Sequence, residues 1–350
     1  MAVTTLTIGN ELLSTTMHIV MKEWRDNIYT STALLDAQTR VHGEGAPTQA
    51  GGTRIVQPLG FGEHSTTTRL STGYERIDLS VEDVFQPAVY DFAHVVRPIA
   101  ISSEEEMVNT GDAAVLSILE NRVTSVANAL KREYVKHIVQ GSVTGWDDWN
   151  TLNGIGTDTT NGFLENAIAG SGSQDSSVGG VSKSTFSSKT GWNNQFFDIG
   201  DSFNSNGLAG LYDLMVEINA VSAQGNPNVI LASRAGFKNL KRALQASERY
   251  MDESSLDGGK MSTTFQGVPI DVEYYMPNAG ASSLTNEASF YFLNMNDVYT
   301  LWDPKGYFDL GDFETVSGEY DVRAAKLRVR GQLIAKHLGS CGLAVKGDTF

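Results

Sequence analysis

Cysteine is nearly absent: Cys341 stands alone in 350 residues. One thiol forms no disulfide within a molecule, which suits a reducing compartment, and it excludes a zinc ribbon or a dithiol redox pair. Prolines number 8 against 35 glycines, so the chain is rich in turns without being collagen-like or low in complexity throughout. Positive charge is scarce too: 26 Lys and Arg face 41 Asp and Glu, a formal net charge of −15. Phosphate recognition runs on clustered Lys and Arg, so this balance speaks against nucleic-acid binding and against an anionic membrane surface. No stretch approaches the ~18 continuous apolar residues of a membrane span. The opening MAVTTLTIGNELLSTTM lacks the basic start and apolar centre of a secretory signal. Lysine is missing altogether between Lys22 and Lys131.

Catalytic and metal signatures are also lacking. His18, His42, His64, His94, His137 and His337 show no ligand spacing. Neither a phosphate-cradling Gly-Lys-Ser/Thr loop nor a Gly-x-Ser-x-Gly elbow occurs. Asp147 and Asp148 read as a solvated turn before they read as a cation site. Glu104, Glu105 and Glu106 are accounted for by the start of a helix, where negative charge meets the macrodipole. Cys341 has no activating neighbour in sequence and reads as a buried, inert thiol. The expectation is no catalytic residue, no metal and no cofactor.

What is present begins with a long amphipathic helix over Ser102–Gly141. Ser102 and Ser103 can cap it. Gly111 interrupts the pattern and Asp112 offers a second start. From there Leu116, Leu119, Val123, Val126, Leu130, Tyr134 and Ile138 recur at helical three- and four-residue steps. The run from Asp112 to Gln140 would span ~43 Å at about 1.5 Å per residue. A single-stripe helix of that length has to lie along something equally long, such as a sheet.

Before the helix, residues 1 to about 45 hold short apolar runs and no element that buries itself, although Asn10 could cap a helix over Glu11–Asn27. Thr53–Leu79 reads as a long polar hairpin with a glycine-rich tip. Two-stranded hairpins are marginal in water, so this one is expected to complete its packing on a neighbour. Residues 84–101 read as strands that lead into the helix. After it, 142–207 is rich in Gly, Ser, Thr, Asn and Asp, with Trp146, Trp149 and Trp192 as isolated anchors, and reads as a surface insertion. From Leu208 the pattern is regular α/β: helix LAGLYDLMVEINAV, strand NVILAS, helix RAGFKNLKRALQA capped by Ser233, then strands FQGVPIDVEYY, SFYFLN and DVYTLWD. Glu319–Lys336 alternates cleanly, with Leu327, Val329 and Leu333 on one side and Lys326, Arg328, Arg330 and Gln332 on the other. Arg323, Lys326, Arg328 and Arg330 read as the only concentration of positive charge. They form either a solvent-facing strand or an inter-subunit salt-bridge row.

The order of elements carries more than any motif: arm, polar hairpin, long helix, loop-rich stretch, α/β part, returning strands. With the local stretches VVRPIAISSEEEM, LNGI, TFQGVPIDVEYYMPNAG, FYFLNMNDVYTLWD and AKLRVRGQLIAKHLGSCGLAVKGDTF, it resembles the major capsid proteins of tailed phages, the Hong Kong 97 shell fold. The resemblance implies an α+β fold with 1–45 as N-terminal arm and 46–83 as extended loop. It makes 84–141 peripheral strands and spine helix, 142–207 an insertion, 208–310 an axial domain and 311–350 closing strands.

The function it implies is that of a structural subunit, not an enzyme, assembling into the icosahedral head of a double-stranded DNA phage. Its partners would be itself in hexamers and pentamers, with portal, scaffolding and decoration proteins, and DNA enclosed without specific binding. Assembly would take place in the host cytoplasm, with no membrane involved. Some relatives carry an N-terminal scaffolding region; here the arm starts near Met1, so that region was removed or a separate protein guides assembly. Candidate inter-subunit contacts are Arg54, Arg69 and Arg76 in the loop, and Arg323, Lys326, Arg328 and Arg330. The alternatives are an encapsulin-like compartment shell and, from another class, a hydrolase with an unrecognised site.

Overall fold

The computed structural model describes residues 33–43, 47–61, 66–69, 71, 73, 74, 76, 77, 83–108, 118–141, 143–153, 162–164, 177–183, 192–200, 202–222, 225–245, 263–276, 288–315 and 321–345. In chain order the helices are α1 (Ala33–His42), α2 (Ser103–Val108), α3 (Ile118–Gln140), α4 (Phe203–Val221) and α5 (Arg234–Gln245). The strands before α4 are β1 (Arg54–Gly60), β2 (Phe85–Asp91), β3 (Ala93–Ser102), β4 (Thr151–Asn153), β5 (Gly162–Leu164), β6 (Ser177–Val178), β7 (Val181–Ser182) and β8 (Gln195–Asp198). Those after it are β9 (Val229–Ala232), β10 (Thr263–Phe265), β11 (Val268–Val272), β12 (Ala288–Leu293), β13 (Val298–Trp302), β14 (Asp309–Leu310), β15 (Glu314–Thr315), β16 (Val322–Ala335) and β17 (Gly342–Val345).

One antiparallel sheet is organised by β16, the strand with the clean alternation. It pairs with β3 from Val322↔Ser102 to Gly331↔Ala93 and with β13 from Trp302↔Gly331 to Val298↔Ala335, while β14 and β15 add short pairings. The second sheet has the order β10-β11-β9-β12-β17-β8. β9 and β11 are parallel and joined across α5, as parallel neighbours require a crossover.

The second sheet is buried on both faces, which explains why VILA, FYFL and GLAV read as unbroken apolar runs. Period-two alternation sorts these side chains. Val229, Leu231, Tyr291, Leu293, Leu343 and Val345 belong to a core shared with α3, the first sheet and the tryptophan loop. Ile230, Ala232, Phe290, Phe292 and Ala344 face the other way, onto Phe203, Leu211, Leu214, Met215 and Ile218 of α4 and Phe237 and Leu240 of α5. Gly342 admits α4: a Cβ there would stand 2.6 Å from Ile218 Cδ1.

The helix signals are realised in detail. Ser102 Oγ accepts from the Glu105 N–H at 3.2 Å while Glu105 Oε2 accepts from the Ser102 N–H at 3.2 Å, a reciprocal capping box. Ser233 Oγ caps α5 by accepting from the Gly236 N–H at 3.1 Å. Along α3, Leu130, Tyr134 and Ile138 are fully buried. Gly111, Asp112 and Leu116 lie outside the described residues, so the helical stretch is seen as α2 and α3 separately.

Three expectations change. The strand opposite β1 is β2, in register from Arg54↔Asp91 to Gly60↔Phe85; the expected returning strand at about 69–79 is not one among its described residues. The segment 142–207 is not a surface insertion in its described parts. Trp146, Trp149, Leu152, Phe163, Leu164, Val178, Val181 and Trp192 are buried in the main core, β8 is a strand of the six-stranded sheet, and α4 already starts at Phe203. The rings of Trp146 and Trp149 pack with Tyr134 and Trp302 at centroid distances of 5.1–5.9 Å, mostly tilted, with Tyr134 edge-on to Trp149, and this holds a polar loop inside. Finally, α1 packs on its own chain through Leu34, Ala37 and Gln38, with Gln38 Nε2 donating to Thr300 Oγ1 at 3.1 Å. The expected helix at Glu11–Asn27 lies outside the described residues.

Candidate assembly surfaces

The β1–β2 ribbon has two unlike faces. Inward, Ile55, Leu59, Ala88 and Tyr90 join the main core, and Tyr90 Oη donates to Ala335 O at 3.0 Å. Outward, Val56 is 59% exposed and Phe85 75% exposed, with Pro58 opposite Pro87 between them. Proline cannot donate to an added strand, so the ribbon resists edge-to-edge pairing while it keeps an apolar face. Beyond it, Tyr74 and Ile77 are also exposed. Arg54 meets Asp91 at 2.7 Å with both side chains mostly in solvent, a pair of little energetic weight. Arg69 and Arg76 are exposed.

Two arginines hold the helices to β3. Arg122 of α3 grips Glu105 of α2 through both oxygens at 2.7 and 2.8 Å and donates to Ala100 O at 3.0 Å. That fork, with the Ser102 N–H, holds the Glu105 carboxyl down at about 2. Arg97 of β3 donates from Nη2 alone to both oxygens of Glu133 of α3, at 2.7 and 2.8 Å. The bidentate Arg122 pair fixes geometry as well as charge, and the Arg97 contact ties α3 to β3 at a second point.

The basic row on β16 divides. Lys326 and Arg328 are exposed, and Arg328 sits across from Asp309 in register. Arg323 reaches Glu106 at 3.5 Å. Arg330 turns inward: it pairs with Asp303, donates to Gly52 O at 2.9 Å and lies over the Phe92 ring at 4.7 Å. The row is also not the only positive cluster, because α5 carries Arg234, Lys238, Lys241 and Arg242. Gln332, expected on the solvent side, is buried. Its Nε2 donates to Asp91 O and Asp148 O at 2.9 Å each, and its Oε1 accepts from the Asn150 N–H at 2.8 Å and the Leu333 N–H at 3.0 Å. Both donors and both acceptor positions of the amide are used.

The groups considered for chemistry fall in different places. Cys341 is buried and desolvation pushes its thiol up to about 12, which leaves no thiolate at neutral pH. His137 is buried with Nε2 3.2 Å from Trp149 O, and desolvation lowers its pKa; His337 is lowered for the same reason. A cleft of about 250 Å³ opens beside Gln332, lined by Asp91, Asp148, Asn150 and Phe163 among others. Among the described residues no three His, Cys, Asp or Glu side chains gather as a metal site.

No protein-family model matches the sequence, and no curated protein does. Solved structures do. The capsid of cyanophage A-1(L) is similar at a TM-score of 0.63 and 15% identity, over 98% of this chain and 99% of that one. The capsid of an empty GTA particle is similar at 0.61 and 13%, over 94% and 95%. The chain has the Hong Kong 97 shell fold. The SrpI encapsulin of Synechococcus elongatus PCC 7942 has the shell fold as well, at 0.56 and 10%, over 98% and 96%. Coverage this complete at such low identity means that the path of the chain is shared while its side chains are not. The surface chemistry of this shell fold therefore has to be read from its own residues.

Proposed function

We propose that the chain is the major capsid protein of a tailed double-stranded DNA phage, a structural subunit and not an enzyme. The observation that supports this most is the near-complete, end-to-end likeness to capsid chains. Exposed Val56, Phe85, Tyr74 and Ile77 agree with it, since apolar surface of this kind marks sites that another molecule covers. In this reading residues 1–45 are the arm, 46–83 the extended loop, α3 the spine of a peripheral domain, and the six-stranded sheet with α4 and α5 the axial domain. Arg54, Arg69, Arg76, Arg323, Lys326 and Arg328 are contacts to neighbouring copies; Arg330 is held within its own copy. Portal, scaffolding and decoration proteins complete the head, which assembles in the host cytoplasm around DNA that it encloses without binding specifically. The negative charge of −15 fits a container that must also release its polyanion.

Electron microscopy of the purified full-length chain, with light scattering at several concentrations, tests the reading: closed shells, hexamers or pentamers are expected, and a monomer at all concentrations refutes it. The likeness to SrpI favours a second reading, a compartment shell around protein cargo. Nuclease-protected DNA in particles from the native source supports the phage head; particles filled with protein and free of DNA support the compartment.

A further inference from the structure

The two helices that cover one face of the six-stranded sheet carry opposite charge. α4 contains Asp213 and Glu217 and no Lys or Arg; α5 contains Arg234, Lys238, Lys241 and Arg242 and no Asp or Glu. On α5 the four cations follow at steps of four, three and one, which places them on one helical face, and Arg234, Lys238 and Arg242 are exposed. On α4 the side away from Leu214 and Ile218 presents Ala209, Tyr212, Val216 and Ala220, with Tyr212 43% and Val216 62% exposed. This is an apolar stripe at helical spacing; Tyr212 leans onto Phe265 of β10 at a centroid distance of 4.8 Å, while Val216 stands in solvent.

The position of the acids sets a direction. Gly210 faces β8, the edge strand, because the Phe197 ring fills the place of its missing side chain. Asp213 and Glu217 follow Gly210 by three and seven residues and so lie on the same flank, at the β8 edge. α5 lies elsewhere over this sheet, against α4 and β12. One copy thus shows acids on the β8 flank of α4 and a basic helix face away from it. A contact that sets the acidic flank of one copy on the basic face of another satisfies both signs, and repeated head to tail it gives a ring where the rotation closes.

We propose that α4 of one copy docks on α5 of the next, with Val216 buried at the contact and Asp213 and Glu217 set against Lys238 and its basic neighbours. This rests on the shell reading and names the surface that joins neighbours within a ring. The test uses the full-length chain in three forms: Asp213→Lys with Glu217→Lys, Lys238→Glu with Lys241→Glu, and all four changes together. Circular dichroism first establishes that each unassembled subunit is folded. Each two-residue reversal alone is expected to lose particles in electron microscopy and light scattering. The four-residue form is expected to regain them, because the reversed charges then face each other with opposite sign. A merely structural defect in one helix is not repaired by two changes in the other, so this rescue isolates the contact. Folded reversed chains that assemble like the unmodified protein overturn the contact and leave the shell reading standing. Folded chains that no combination rescues overturn it too. An unmodified chain that never assembles overturns the shell reading and this contact with it.

Discussion

Replacing Gln332 tests the internal architecture most sharply, because a surface strand position and a buried four-bond junction predict opposite results. In Gln332→Leu the volume is kept while the Asn150 N–H, Asp91 O and Asp148 O lose their partner. Three hydrogen bonds between segments, at about 0.5–1.5 kcal/mol each, put the loss at ~1.5–4.5 kcal/mol. Burying leucine's apolar surface returns about 1–2 kcal/mol of that, for a net destabilisation of ~0.5–2.5 kcal/mol. Gln332→Glu is expected to be worse at neutral pH, because an ionised carboxylate then faces two carbonyl oxygens without donors. That carboxyl is expected to titrate above its ordinary range. A raised folded-state pKa means the folded state binds more protons, so stability falls as pH rises through it and the Glu variant improves on acidification. Urea unfolding of the unassembled subunit, followed by tryptophan fluorescence with Trp149 in the adjoining loop, measures both. If both variants stay within about 0.5 kcal/mol of the unmodified chain, the range of ordinary surface substitutions, the burial of Gln332 and the integration of the 146–153 loop are wrong.

Acid should weaken the subunit. His137 and His337 have folded-state pKa values below the ordinary 6.5, so their contribution is complete above about that pH and is lost as pH falls toward the depressed values; a His137→Gln variant should show a flatter acid limb in thermal melts between pH 7 and pH 5. Replacing residues 62–83 with a short Gly/Ser turn keeps β1 and β2, and should move the subunit's thermal midpoint by no more than a few degrees, on the scale of ~1 kcal/mol. Shells should then fail by electron microscopy, whereas intact shells would make the loop ordinary surface structure. Particles boiled in detergent should run as one band at 37.9 kDa, because the loop has no lysine and arginine does not serve as an amine nucleophile; a ladder of covalent multimers refutes this.

Local signals were legible wherever one residue's chemistry acts on its own neighbourhood. The Ser102–Glu105 capping box, the Ser233 cap, the alternation of β16 up to Val329 and the apolar runs of β9, β12 and β13 all stand in the structure as the sequence implies. The basic face of α5 is also written in the sequence, four cations in twelve residues. Other features depend on chain that arrives from far away. β1 pairs with β2 and not with 69–79, because Ile55 and Leu59 gain a core only beside Ala88 and Tyr90. Trp146, Trp149 and Trp192 sit in a polar, glycine-rich stretch, and it is Tyr134 and Trp302 beside the first two, and Phe61 beside the third, that make it an interior. Gln332 obeys the alternation of its strand and is still buried, since Asp91 from β2 and Asp148 and Asn150 from the tryptophan loop come to saturate its amide. Period and capping are short-range and survive in the sequence; burial of a polar group is decided by the partners that tertiary structure brings to it.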